Sequence, residues 1–225
     1  MDIELTIEAL FPQGLGLAEA LLTENLYPWE SLPFISDYVK AVGANLDLNE
    51  YEKHDNNVWI AKSAIVAPSA FLGYNIIIGP GTVVRHCAFL RNDILIGEDC
   101  VIGNSSELKN SILIRKVQVP HFNYIGDSVL GTGVHLGAGA ITSNIKSDRT
   151  NIEIRCSEKK IATGLRKMGA IIGDQVEIGC NCVMNPGTVI GTGSRIYPLS
   201  LVRGYVPAHS IYKNTGEVTE ILNLT

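Results

Sequence analysis

The chain has 225 residues, 46% of them hydrophobic, with 22 glycines and a formal net charge of −5, a composition that describes a folded, glycine-punctuated protein and excludes a disordered one. The acidic balance gives no general pull toward nucleic acid or an anionic membrane, so any basic function has to come from a local cluster. Five cysteines, an odd number with no Cys-x-x-Cys pair, fit reduced thiols in a cytoplasmic protein better than a disulfide framework or a zinc site.

The start, "MDIELTIEAL", lacks the cationic and apolar regions of a signal peptide, and no apolar run in the chain is long enough to span a bilayer. Residues 1–55 read as a helical segment. In "ESLPFISDYVKAVG", Leu32, Ile35, Val39 and Val42 fall on one helical face and Gly43 is placed as a C-cap.

From Ile60 the pattern changes. An aliphatic residue recurs every six positions through Val66, Leu72, Ile78, Val84, Leu90, Ile96, Ile102 and Leu108. Five-residue steps reach Leu113 and Leu130, and the row continues through Val119, Ile125 and Leu136 before it returns at Ile172, Ile178, Met184, Ile190, Ile196 and Val202. A helix needs a period near 3.6 and a two-sided strand a period of two, so neither explains a lone inward aliphatic every six residues. A triangular parallel β-helix does: each hexapeptide forms one short side and a corner, and three form a coil.

Residues 145–170 lose the hexad, alternate at Ile152 and Ile154 and carry Lys and Arg throughout, which predicts a projecting hairpin. The expected organisation is a helical segment over 1–55, a β-helix over 56–213 interrupted at 145–170, and a tail over 214–225.

Arg91 and Lys109 are 18 residues apart and therefore stack on one face of successive coils, with Glu107 on the same outward side. Two stacked cations repel unless they share an anion, and a phosphate fits that need. His121, with Tyr124 three residues on, lies one side of a coil away, where an imidazole is a candidate base. Asp127 reads either as part of that group or as a turn cap.

"LR" at 90–91, "VIGNSSELKN" at 101–110, "HFNYIGD" at 121–127 and "LGAGAITSN" at 136–144 carry a resemblance. In order and spacing they resemble the acetyltransferase domain of the bifunctional UDP-N-acetylglucosamine pyrophosphorylase/glucosamine-1-phosphate N-acetyltransferase. The resemblance implies a left-handed parallel β-helix of the all-β class, a homotrimer, and acetyl-coenzyme A as cosubstrate with no metal. It implies that Arg91, Lys109 and Tyr124 hold a sugar-linked phosphate, that His121 is the general base and that Glu107 orients it. Ala138, Asn144, Cys180, Pro198 and Lys213 would line the coenzyme site.

Five positions depart from the family: Cys180, Pro198 and Lys213 stand where it has serine, alanine and arginine, His135 where it has a substrate-contacting asparagine, and Ile145 where it has a tyrosine. No nucleotide loop of the pyrophosphorylase half precedes the helical segment. The expected activity is acyl transfer to an amino-sugar phosphate or nucleotide sugar, with no nucleic-acid or membrane partner. The alternative is a non-catalytic module that binds the same sugar ligands.

Overall fold

The structure, a computed structural model, describes residues 3–156 and 159–221. From Val58 onward the chain winds as a parallel β-helix of hexapeptide repeats, the fold class expected, and the period-six aliphatics form its buried axis, from Ile78 through Leu108 and Ile125 to Val206. Three columns of residues with positive φ mark the corners. Asn57, Asn75, Asp93, Asn110 and Asp127 form the first, Asp99, Lys116 and Gln175 belong to the second, and Cys87, Ser105, Phe122 and Asn181 to the third. Asn and Asp tolerate this region better than other L-residues, so the first column reads as a corner signal.

The five-residue steps have a structural counterpart. Residues on neighbouring coils pair 18 apart at Leu90 and Leu108 but 17 apart at Leu108 and Ile125, and the register slips between Leu90 and Ile94. The dropped residue lies at the first corner, where Tyr74 and Asn92 precede Asn75 and Asp93 but nothing separates Lys109 from Asn110 except the peptide bond.

The prism's three sides differ in cover. The second side, which follows the first corner, is buried on both faces: its outward Ile77, Leu95, Ile112, Val129, Ile171 and Val189 pack under the N-terminal segment, against residues such as Leu10, Trp29, Leu32 and Ile35. This accounts for the consecutive aliphatics of "NIIIG" and "DILIG", because a strand covered on both faces reads as a run rather than an alternation. The first side, between the third corner and the first, displays Arg91, Glu107, Lys109 and Tyr124. The third side carries His135.

Two expectations for residues 1–55 are corrected. Helix Ile35–Ala44 contains Gly43, and Asn45 caps it. The glycine is there because a Cβ would lie 2.4 Å from the Trp59 ring, so close packing on the prism, not helix termination, requires it. Residues Tyr51–His54 are not helical but form a strand antiparallel to Val58–Ala61, starting the sheet earlier than expected. A buried carboxylate fastens the N-terminal segment: Asp174 accepts from the Gln13 amide at 2.9 Å and the Thr132 amide at 2.7 Å. Burial pushes its pKa up against the pull of those amides.

The insertion contains the antiparallel pair Glu153–Cys156 and Lys159–Ala162, with Ile152 and Ile154 buried. It lies over the first corner, which there switches from Asn and Asp to Gly187 and Gly204. A Cβ on Gly187 would meet Ile152 at 2.6 Å, and one on Gly204 would meet the Arg155 carbonyl at 2.5 Å. In the tail, Val218–Glu220 pairs antiparallel with Ser210–Tyr212; residues 1–2 and 222–225 of the expected terminal segments lie outside the described residues. Among the described residues no helix is long and apolar enough to cross a membrane.

Candidate active site

The first side brings four of the expected residues together. Glu107 lies beside Phe89 on one neighbouring coil and Tyr124 on the other, and Lys109 lies beside Gly126. A Cβ on Gly126 would sit 2.6 Å from the Tyr124 hydroxyl, so the missing side chain is what lets the tyrosine ring fold back along the wall. The phenol accepts from Asn144 Nδ2 at 3.2 Å, and burial, with the charges of Asp127 and Glu107, pushes its pKa up. It remains a protonated donor at neutral pH.

The cations are arranged otherwise than the stacking argument implies. Arg91 Nη1 donates to Glu107 Oε1 at 2.9 Å, and Lys109 Nζ lies 3.5 Å from the Asp127 carboxylate. Each has a protein carboxylate on the neighbouring coil, so no shared external anion is needed to hold the pair side by side. The described contact of the Glu107 carboxylate is this one with Arg91, not one with His121.

Asp127 is the hub that sequence reasoning left open. It is 4% exposed, at φ 49°, and accepts from Asn110 Nδ2 at 2.9 Å, from Lys109 and, over a short contact, from Asn144 Nδ2. Its signal was present in the sequence as the Asn/Asp column recurring every 17 or 18 residues from Asn57. A cavity of about 490 Å³ beside it is lined by Asn110, Ile145, Leu165, Arg166 and Lys167, so the insertion delivers two further cations to this corner.

His121 is exposed, on the third-corner edge of the same coil as Tyr124. Its carbonyl accepts from the Gly139 amide at 3.0 Å, the Ala138 carbonyl from Asn181, and the Cys180 carbonyl from Leu199. His121, Ala138, Cys180 and Pro198 therefore occupy equivalent places along one edge of the prism. In the "LGAGA" turn the Gly137, Gly139 and Ala140 amides are all engaged by carbonyls; the Ala138 amide has no partner among the described residues.

Lys213 follows Tyr212, which pairs with Ile196, and so lies beside Tyr197, next to Pro198, at the C-terminal end of that edge, where it pairs with Glu217 at 2.9 Å. Two expected residues lie elsewhere. His135 is on the third side, with Nδ1 2.9 Å from Glu177 Oε2. Asn144 faces the tyrosine and Asp127 rather than the Ala138 edge.

Fold and repeat together define a hexapeptide-repeat β-helix protein, and residues 169–204 match the family described as bacterial transferase hexapeptide (six repeats). Over 96 residues the chain is 38% identical to a bifunctional sugar-1-phosphate nucleotidylyltransferase/acetyltransferase of Sulfurisphaera tokodaii, a match covering 43% of this chain and 24% of that protein. Over 101 residues it is 35% identical to the bifunctional protein GlmU of Methanococcus aeolicus, covering 44% of this chain and 24% of that one. The chain thus spans about a quarter of the length of these curated relatives. A solved structure, the acetyltransferase domain of PglB from Neisseria gonorrhoeae in complex with acetyl coenzyme A, aligns over 72% of this chain and 57% of that one, at 17% identity and a TM-score of 0.34.

Proposed function

We propose that this protein is an N-acyltransferase that moves an acetyl or similar acyl group from coenzyme A to the amine of an amino-sugar phosphate or nucleotide sugar. The carrying observation is that His121 shares one prism edge with Ala138, Cys180 and Pro198 and sits on the same coil as Tyr124, beside the wall of Glu107, Lys109 and Arg91. The local identity to a relative whose name includes sugar-1-phosphate and acetyl transfer adds to it.

In this reading the thioester lies along the edge row, whose small Ala138 and exposed Cys180 leave room for an extended ligand. The amine attacks the thioester carbonyl as His121 takes its proton, the carbon–sulfur bond breaks, and the proton passes to the departing thiolate. The free Ala138 amide is the donor aimed at developing oxyanion charge. Tyr124 donates to the sugar phosphate, and Lys109 and Arg91 exchange part of their carboxylate pairing for it.

His135, on another side of the prism, would reach a substrate only if a second subunit presents it, which agrees with a homotrimer packed around the prism walls. The setting would be the cytoplasm, where coenzyme A and reduced thiols coexist.

A second reading, a non-catalytic sugar-phosphate binding module, is favoured by one observation: Glu107 is engaged by Arg91, not by His121. A thiol-release assay with acetyl-coenzyme A and glucosamine 1-phosphate, extended to nucleotide-linked amino sugars, separates the two. Amine-dependent thiol release that His121→Ala abolishes is expected. Ligand binding without release from any amine would replace the enzyme with the module.

A further inference from the structure

The insertion builds a second cavity, of about 370 Å³, toward the C-terminal end of the first side. Its walls include Ser143, Asn185 and Arg203 from the prism and Lys146 and Arg155 from the insertion. The prism residues form one row along the axis, because the Ser143 amide donates to the Met184 carbonyl and the Asn185 amide to that of Val202, each at 2.9 Å. The same row begins at Lys109 and Gly126, so Arg203 lies four strand spacings, about 19 Å, beyond Lys109. That is too far for one phosphate to touch both.

Charge in this cavity is unbalanced. Asp148 accepts from the Thr150 amide and hydroxyl, and Glu153 pairs with Lys160 at 3.6 Å, so both acids are engaged. Arg155 and Arg203 are exposed, and among the described residues neither guanidinium has a hydrogen bond or ion pair. Arg91 and Lys109, by contrast, have carboxylate partners. The Arg155 backbone is pressed against Gly204, which fixes the two arginines on adjoining segments at the mouth of one cavity. Two forked donors suit a diphosphate, each able to take two oxygens. Beside them Ile145, 41% exposed, and Pro186 offer an apolar floor of the kind on which a base can lie, and the Ser143 hydroxyl is unspent.

We propose that this cavity is a nucleotide site, with the diphosphate of a nucleoside diphosphate on Arg155 and Arg203 and its base against Ile145 and Pro186. The site does not depend on acyl transfer. Two sources share this chemistry, a free or sugar-linked nucleoside diphosphate and the nucleotide end of coenzyme A.

Isothermal titration calorimetry of the full chain with uridine diphosphate, adenosine diphosphate, coenzyme A and inorganic phosphate tests it. Arg155→Ala and Arg203→Ala, both at exposed positions, should each weaken diphosphate binding about tenfold. Lys40→Ala, an exposed cation on the helical segment away from both cavities, should leave it unchanged, and added salt should weaken the parent. Loss confined to the nucleoside diphosphates assigns the site to a free or sugar-linked nucleotide; a parallel loss for coenzyme A assigns it to the coenzyme's nucleotide end. Equal affinity of parent and both arginine variants for every probe overturns the proposal, as does binding of inorganic phosphate as tight as that of the nucleotides. Failure of thiol release alone would sink acyl transfer and leave this result standing.

Discussion

Replacing Asp127 by Ala puts the hub of the candidate site to a quantitative test. The carboxylate accepts from two amide side chains, Asn110 and Asn144, and neighbours Lys109 at 3.5 Å. Hydrogen bonds to a charged acceptor contribute about 1.5 kcal/mol each at the lower end of their range. The lysine, 18% exposed, adds about 1 kcal/mol as a partly screened pair. Alanine at a φ of 49° carries a further penalty of about 1 kcal/mol that Asp and Asn largely escape. The expected loss is therefore about 5 kcal/mol in urea unfolding. Asp127→Asn, which keeps the corner conformation and one acceptor, should lose about half of that. Sugar-phosphate binding should weaken in both variants, because Lys109 and Tyr124 lose the group that orders them. A loss below about 1 kcal/mol for Asp127→Ala would show that the network is decorative and that the corner holds without it.

Three further outcomes are expected. His121→Ala should lower turnover by about 10²–10⁴, while thermal unfolding of this exposed position stays within a degree or two; a variant retaining a tenth of the parent rate would exclude a base role. Gly43→Ala, which places a methyl against the Trp59 ring, should cost about 1–3 kcal/mol in thermal unfolding by forcing the helix off the prism, and parent-like stability would refute that contact. For Asp174 the folded pKa lies above the unfolded value of 3.8, so its contribution to stability is fully present below that value and is lost as pH rises through the folded one. Asp174→Asn cannot ionise and should remove this downward slope; melting curves for parent and variant that run parallel from acid to neutral pH would contradict the shift.

The axis of the fold was legible because one constraint recurs: an inward side chain at each repeat, from Ile60 to Val202, with the shortened steps at Leu113 and Leu130 appearing as true register changes. The hairpin in the insertion was legible from Ile152 and Ile154, whose alternation matches their burial. The helical segment was harder. Gly43 looks like a terminator because glycine commonly ends helices, and only the position of Trp59, 16 residues on, reveals a packing role. At the site, residue types were readable and pairings were not. Whether Arg91 meets a phosphate or Glu107 depends on side-chain reach between coils, and the separation of His135 from Tyr124 depends on which side of the triangle each occupies. No local pattern encodes either.

The shortened coils carry a consequence for how such a chain can change. Adding one residue between Lys109 and Asn110 would restore an 18-residue winding, leave the aliphatic axis in phase and keep a corner-compatible asparagine in place. By the criteria of the aliphatic axis alone that insertion is silent. It would nonetheless move Lys109 relative to Asp127 and part the wall from the corner column. The hexad thus sets which side chains are buried, whereas the length of each coil sets which ones meet across the corner.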